Sequence, residues 1–313
     1  MNPKKNWFES HFKTTIIIFV IIISLVTVGA VELALSKLFG LGNPVLYDNS
    51  PIYGFRPMPN QKLQRFLGAE LVFNNLGLRS TEDWDKEKKN KILFLGDSVT
   101  YGGSYISNGE LFSHLVFQDR KDYVSGNAAV NTWGVENIHA LIVEEEFLPA
   151  NYYITALIED DFYRGLVRLQ GLPYYNTEPG SAWAELFHYF AYTQNNKRYL
   201  PWQSLVTEEH ITNIILKSVL KLKSMDVFLK AKGYKHKIFI LPTRNQVVKK
   251  SSKDPKIQNL ISENKLEVVY LLDELQESEG GNLFHDEVHV TKEGHKIYAQ
   301  ILSRKLTGFL PDK

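Results

Sequence analysis

Lys91-Ile92-Leu93-Phe94-Leu95-Gly96-Asp97-Ser98-Val99-Thr100 joins a compact apolar run directly to a Gly-Asp-Ser turn. An apolar run with no polar alternation reads as a strand buried on both faces, and strands of that kind belong to parallel sheets. Similar runs recur at residues 152–158, 237–241 and 267–272, with a weaker one near 123–126. Between them lie stretches with helical spacing, at 108–119, 135–147, 207–232 and 292–306. The alternation predicts an α/β domain with a doubly wound, parallel five-stranded sheet. Ligands of such sheets sit beyond the carboxyl ends of the strands, which puts Ser98 at the rim where chemistry is expected.

A serine hydroxyl is a poor nucleophile until a base takes its proton, and the base needs a third group to orient it. Asp286-Glu287-Val288-His289, just before the last helical stretch, offers both, with the aspartate on Nδ1 and Nε2 turned to the serine. Ser98, Asp286 and His289 are therefore the candidate catalytic residues. The order Ser, Asp, His also occurs in α/β-hydrolases, but the turn here lacks the second glycine of their G-x-S-x-G elbow. Read alone, Ser98 is more simply a helix-capping serine, and the distant Asp-x-x-His turns the reading toward a nucleophile. His285, His289 and His295 suggest a metal only weakly, since their spacing lacks the HExxH pattern. Gly102-Gly103 belongs to no phosphate-binding motif. Arg164 either orients an anionic substrate or pairs with Asp160 or Asp161.

Gly96-Asp97-Ser98 resembles the first sequence block of the SGNH, or GDSL, hydrolase superfamily, and Asp286-x-x-His289 resembles the last. The resemblance spans roughly residues 91–306 and implies a flavodoxin-like SGNH fold, serine esterase chemistry and no cofactor. Asn74-Asn75-Leu76-Gly77-Leu78-Arg79 is similar to a lead-in found in envelope-located members. The family's middle blocks supply a glycine N–H and an asparagine side chain to the oxyanion hole. Here Thr132, within Asn127-Ala128-Ala129-Val130-Asn131-Thr132-Trp133-Gly134, stands at the expected glycine, where a backbone donor would survive. Asp160, in Glu159-Asp160-Asp161, stands at the expected asparagine. A carboxylate beside a developing oxyanion is repulsive by several kcal/mol at intermediate dielectric. Asp160 is protonated in an apolar site, or Asn131 supplies the missing donor, or another residue aligns with the asparagine, or the domain is catalytically weak or retired.

The chain begins differently. Residues 14–31 are 18 consecutive uncharged, mostly apolar positions between Lys13 and Glu32, close to one bilayer crossing. Lys4, Lys5 and Lys13 precede them, so the expected topology is N-in, C-out. The competing readings are a cleaved signal peptide and a buried core helix. The expected organisation is a cytoplasmic N-terminus (1–13), a transmembrane helix (14–36), a linker and strand-bearing preface (37–90) and a hydrolase-like domain (91–313). That domain carries an aromatic-rich insertion at 165–204, including Tyr174, Tyr175, Trp183, Phe187 and Trp202. Insertions of this length are lids, binding loops or small subdomains. Its rings either wall a sugar or acyl group, pack the insertion down, or rest at a membrane interface.

Composition excludes several classes. Hydrophobic residues make up 44% and charged residues 23%, values of a chain that can build a core. The 36 basic and 35 acidic side chains are interspersed, leaving a net charge of +1 and no field to recruit nucleic acid. With no cysteine, disulfides and thiol chemistry are impossible. The expected function is a membrane-anchored, extracytoplasmic esterase or acyl-group hydrolase acting on an envelope carbohydrate or lipid ester. An O-acyltransferase using the same triad, or a non-catalytic glycan-binding or scaffold protein of the same fold, are the alternatives.

Overall fold

Ile92, Leu93, Phe94 and Leu95 are completely buried, so the strand they form is covered on both faces. The computed structural model describes residues 6–84, 90–199, 208–275 and 283–310. Lys4, Lys5 and Trp202 lie outside them. The chain opens with α1 (Trp7–Ser10) and α2 (Phe12–Phe39), followed by hairpins β1 (Tyr47–Ser50) with β2 (Gly54–Pro57) and β3 (Gln61–Arg65) with β4 (Ala69–Phe73). The α/β part then runs β5 (Asn90–Gly96), α3 (Ser98–Tyr101), α4 (Phe112–Leu115), β6 (Tyr123–Asn127), α5 (Val135–His139) and β7 (Tyr152–Leu157). It continues with α6 (Ala182–Tyr199), α7 (Glu208–Ala231), β8 (Lys235–Ile240), α8 (Arg244–Val248), α9 (Pro255–Glu263), β9 (Val269–Tyr270) and α10 (Lys292–Lys305).

The last five strands form one parallel sheet in the order β6-β5-β7-β8-β9. This is the flavodoxin-like 2-1-3-4-5 order, whose direction of winding reverses at the first strand, so the crevice lies beyond the carboxyl ends of β5 and β7. Alternate residues of β5 feed two cores. Leu93 and Leu95 join Ile138, Val219, Leu222 and Ile257 from the α5, α7 and α9 side, while Ile92 and Phe94 join Phe112, Tyr298 and Leu302 from the α4 and α10 side. The edge strand β6 is not left open. Arg79 donates its backbone N–H to Asn127 O at 2.8 Å and bridges to Phe73, tying the β3–β4 hairpin to that edge.

Three elements differ from expectation. The helix expected at 108–119 is a 3-10 turn (Asn108–Glu110) and the single turn α4, broken before Phe112, whose N–H is taken by His295 Nδ1 at 3.2 Å. The helix expected at 135–147 is α5 relaxing into a π-turn at Ala140–Glu144. The strand expected at 267–272 is cut to two residues, since it pairs on one side only and then turns into a 3-10 helix at Leu271–Glu274.

Helix α2 has no buried residue, although it is 28 residues long and apolar on every side. It is long and apolar enough to cross a membrane, and it is no core helix. Its one acidic residue has a structural task. Glu32 accepts from the N–H groups of Ala182 and Trp183 at 2.7 and 3.0 Å, capping the start of α6, the helix within the aromatic insertion.

His295 makes the fold acid-sensitive. It is wholly buried against Phe112, and burial, helped by the Arg79 charge, pushes its pKa down to about 3 from an ordinary 6.5. The unfolded chain therefore takes up the proton first, so this contribution is complete above about 6.5 and is lost as pH falls towards 3. From pH 7 to pH 5 the loss from this residue is expected to be about 2 kcal/mol. Thermal melts of His295→Gln should show a shallower pH slope than wild type; an unchanged slope would exclude His295 as the source.

Candidate active site

Gly96 ends β5 where a Cβ would lie 2.3 Å from Ala156 O and 2.6 Å from Thr100 Oγ1, so only glycine lets the strand pass β7 and turn. Asp97, not Ser98, caps α3. Its Oδ1 accepts from Val99 N at 2.9 Å. Ser98 is thereby released from the capping role and projects its hydroxyl from the first position of the helix. Gly102 ends that helix in the left-handed region (φ +88°), which accounts for one of the paired glycines without a phosphate.

The Asp286–His289 turn is closed on itself. Asp286 Oδ1 accepts from the N–H groups of Val288 and His289 at 2.9 and 2.8 Å, while Oδ2 meets His289 Nδ1 at 2.7 Å. His289 Nε2 lies 2.8 Å from Ser98 Oγ across 191 residues of sequence. Partial burial pushes the Asp286 pKa upward, but the two N–H groups and the imidazole outweigh it and hold the carboxyl below its ordinary range. An ionised Asp286 assigns the proton to Nδ1 and leaves Nε2 to accept from the serine hydroxyl. The other two histidines go elsewhere: His295 to Phe112 N, and His285 against the Tyr105 ring at 4.8 Å.

Thr132 has φ +70°, the left-handed conformation that glycine adopts freely. The chain thus holds a threonine in a glycine-type backbone geometry, on the loop after β6. Its hydroxyl donates to Asn131 O at 2.5 Å, and the Tyr174 hydroxyl lies near the side chains of Thr132 and Asn131. Asp160 is the second residue of the 3-10 turn Glu159–Tyr163 that follows β7. It is exposed, which removes the expectation of an apolar site that would keep it protonated.

Of the two roles expected for Arg164, the structure shows the ion pair, with Asp161. Its guanidinium reaches Asp161 Oδ1 at 2.6 Å, Trp133 O at 2.9 Å and Asp97 Oδ2 at 3.6 Å. It thus ties together the loops after β5, β6 and β7, the three that carry Ser98, Thr132 and Asp160. Asp97 and Asp161 have no exposed side-chain surface. Burial raises the pKa of both; for Asp161 the neighbouring Asp97 charge adds to the rise, while Arg164 opposes it in both. Arg164→Met would leave two buried carboxyls without their cation. A loss of about 3 kcal/mol is expected in denaturant melts, at the low end for buried pairs because the guanidinium is part-exposed. A change below about 1 kcal/mol would show that water replaces it.

No family model matches the chain, and no curated protein matches it. Solved structures do. An acetyl xylan esterase (AlAXEase) is 14% identical over 69% of this chain and 99% of its own, with a TM-score of 0.43. The lipase/acylhydrolase from Enterococcus faecalis is 13% identical, covers 72% and 99%, and has a TM-score of 0.43. A GDSL-like lipase from Bacteroides thetaiotaomicron is 14% identical, covers 73% and 93%, and has a TM-score of 0.39. Likenesses of this size assign neither a substrate nor a residue's role.

Proposed function

We propose that this chain is a serine ester hydrolase of the SGNH type, held to a membrane by α2 and acting outside the cytoplasm on an acyl ester of an envelope carbohydrate or lipid. The observation that carries this reading is the unbroken relay from Asp286 Oδ2 through His289 to Ser98 Oγ, with both contacts under 3 Å. Such a relay is what a serine needs to become a nucleophile. The exposed apolar length of α2, entered after Lys13, supports the anchor and its N-in orientation.

In this mechanism Ser98 Oγ attacks the ester carbonyl carbon as its proton passes to His289 Nε2, and Asp286 stabilises the imidazolium. The carbonyl oxygen becomes an oxyanion facing the N–H groups of Ser98 and Thr132. Collapse breaks the ester C–O bond, and His289 returns the proton to the departing alcohol. Water, deprotonated by His289, then attacks the acyl-serine and releases the acid with Ser98 restored. A sugar hydroxyl in place of that water would make the same residues an O-acyltransferase.

Asp160, standing where an amide donor is expected, favours a second reading: a non-catalytic member of the fold that holds a glycan or partner. The two separate in one experiment. Wild type and Ser98→Ala are treated with a serine-directed fluorophosphonate and assayed with p-nitrophenyl acetate. The hydrolase reading expects labelling and turnover in wild type alone. Equal absence of labelling in both proteins would sink it and leave the scaffold.

A further inference from the structure

A cavity of about 630 Å³, a size that accommodates a small-molecule ligand, is walled in part by the loops that carry the candidate site residues. Its walls come from three places that are far apart in sequence. Leu35 and Phe39 belong to the last turns of α2, Leu186 and Tyr189 to α6, and Tyr105 and Asn131 to the loops that follow Ser98 and precede Thr132. Tyr174 shares that wall with Asn131. One space therefore runs between the apolar N-terminal helix and the loops of the candidate active site.

The surroundings of that space point to a bilayer. From Lys13 to Glu32 the helix rises about 29 Å, the thickness of the hydrocarbon core, which sets Glu32 near its outer boundary and Leu35 and Phe39 in the headgroup layer. At this level α6 docks on α2, through Glu32 and through Trp183 Nε1, which donates to Val28 O at 3.4 Å. Trp183 stacks on Phe187 one turn on, and Phe187 and Phe190, three apart on α6, are 63% and 59% exposed. Large exposed aromatic rings next to a spanning helix are placed as interfacial anchors are. They are poorly placed for a water-facing glycan groove.

We infer that the cavity receives one acyl chain of an ester lipid drawn sideways from the same leaflet, between α2 and α6, with its ester group presented to Ser98. This deepens the serine-hydrolase reading and rests on it for the chemistry, which is the ester cleavage written above. The occupancy itself does not depend on catalysis.

The test separates the two. Full-length Ser98→Ala is reconstituted in vesicles of phosphatidylethanolamine and phosphatidylglycerol containing a phosphatidylethanolamine with a diazirine at the end of one acyl chain. After irradiation, adducts are mapped by mass spectrometry. Outward positions of α2 will be labelled whether or not the cavity is used. The proposal expects additional adducts on Tyr105, Tyr174 or Asn131, which lie in the domain beyond the helix, and expects them to be lost in Leu186→Trp. Adducts confined to α2 and the exposed rings of α6 overturn it, even if wild type reacts with fluorophosphonate at Ser98. Domain adducts without fluorophosphonate labelling of wild type would keep the lipid cavity and sink the hydrolase.

Discussion

Ester hydrolysis by Ser98→Ala is expected to fall by about 10⁴ to 10⁶ in kcat, and His289→Ala should lose about as much. The double variant should be no worse than either single one, because neither group activates the other's partner once one is gone. A factor of 10⁴ corresponds to about 5.5 kcal/mol of transition-state stabilisation, far above what a surface hydroxyl contributes to stability. Asp286→Asn should cost about 10⁴ as well, through a different route: an amide can turn its N–H₂ to Nδ1 and favour the wrong imidazole tautomer. Rates with p-nitrophenyl acetate, normalised to folded protein, decide the matter. If Ser98→Ala keeps a tenth of the wild-type rate, the covalent mechanism is wrong; if the losses in Ser98→Ala and His289→Ala multiply, the two do not act as a unit.

What could be read from the sequence is what local chemistry determines. Strands β5 and β7 were the most legible because their side chains are largely apolar in both directions, as the two cores on either side of Ile92–Leu93–Phe94–Leu95 require. Ser98, Asp286 and His289 could be picked out since a residue after a buried strand and an Asp-x-x-His turn are short-range patterns, and the structure places them within hydrogen-bonding distance. The features that were not legible depend on distant partners. Nothing near Phe112 announces that its N–H will be claimed by a histidine 183 residues later, which separates α4 from the 3-10 turn before it. The clasp of Arg164 on Asp97 and Asp161 spans two loops, and its only local sign was a cation three residues after a carboxylate. Glu32 looked like the end of an apolar run; its role as a cap for α6 is set by residues 150 positions away.

Asp160→Asn is expected to raise kcat with a short-chain ester by about 10² to 10³, the inverse of what losing one oxyanion donor costs. Asp160 is the second residue of the turn after β7, the strand beside β5, and in the proposed mechanism a carboxylate there would withhold a donor and add a like charge to the developing oxyanion. The amide reverses both faults. Since it acts on charge that exists only in the transition state, KM should move little. Stability should also change little, because Asp160 is exposed and makes no hydrogen bond or ion pair among the described residues. Ionic strength apportions the gain. Repulsion by an exposed carboxylate is about 1 to 4 kcal/mol at 4 Å and is screened, so wild-type kcat should climb with added salt while that of Asp160→Asn stays flat. A variant that gains rate but keeps the wild-type salt response would owe the gain to the new donor alone. A variant that is slower than wild type would place the Asp160 side chain away from the oxyanion and leave Asn131 as the residue to replace next.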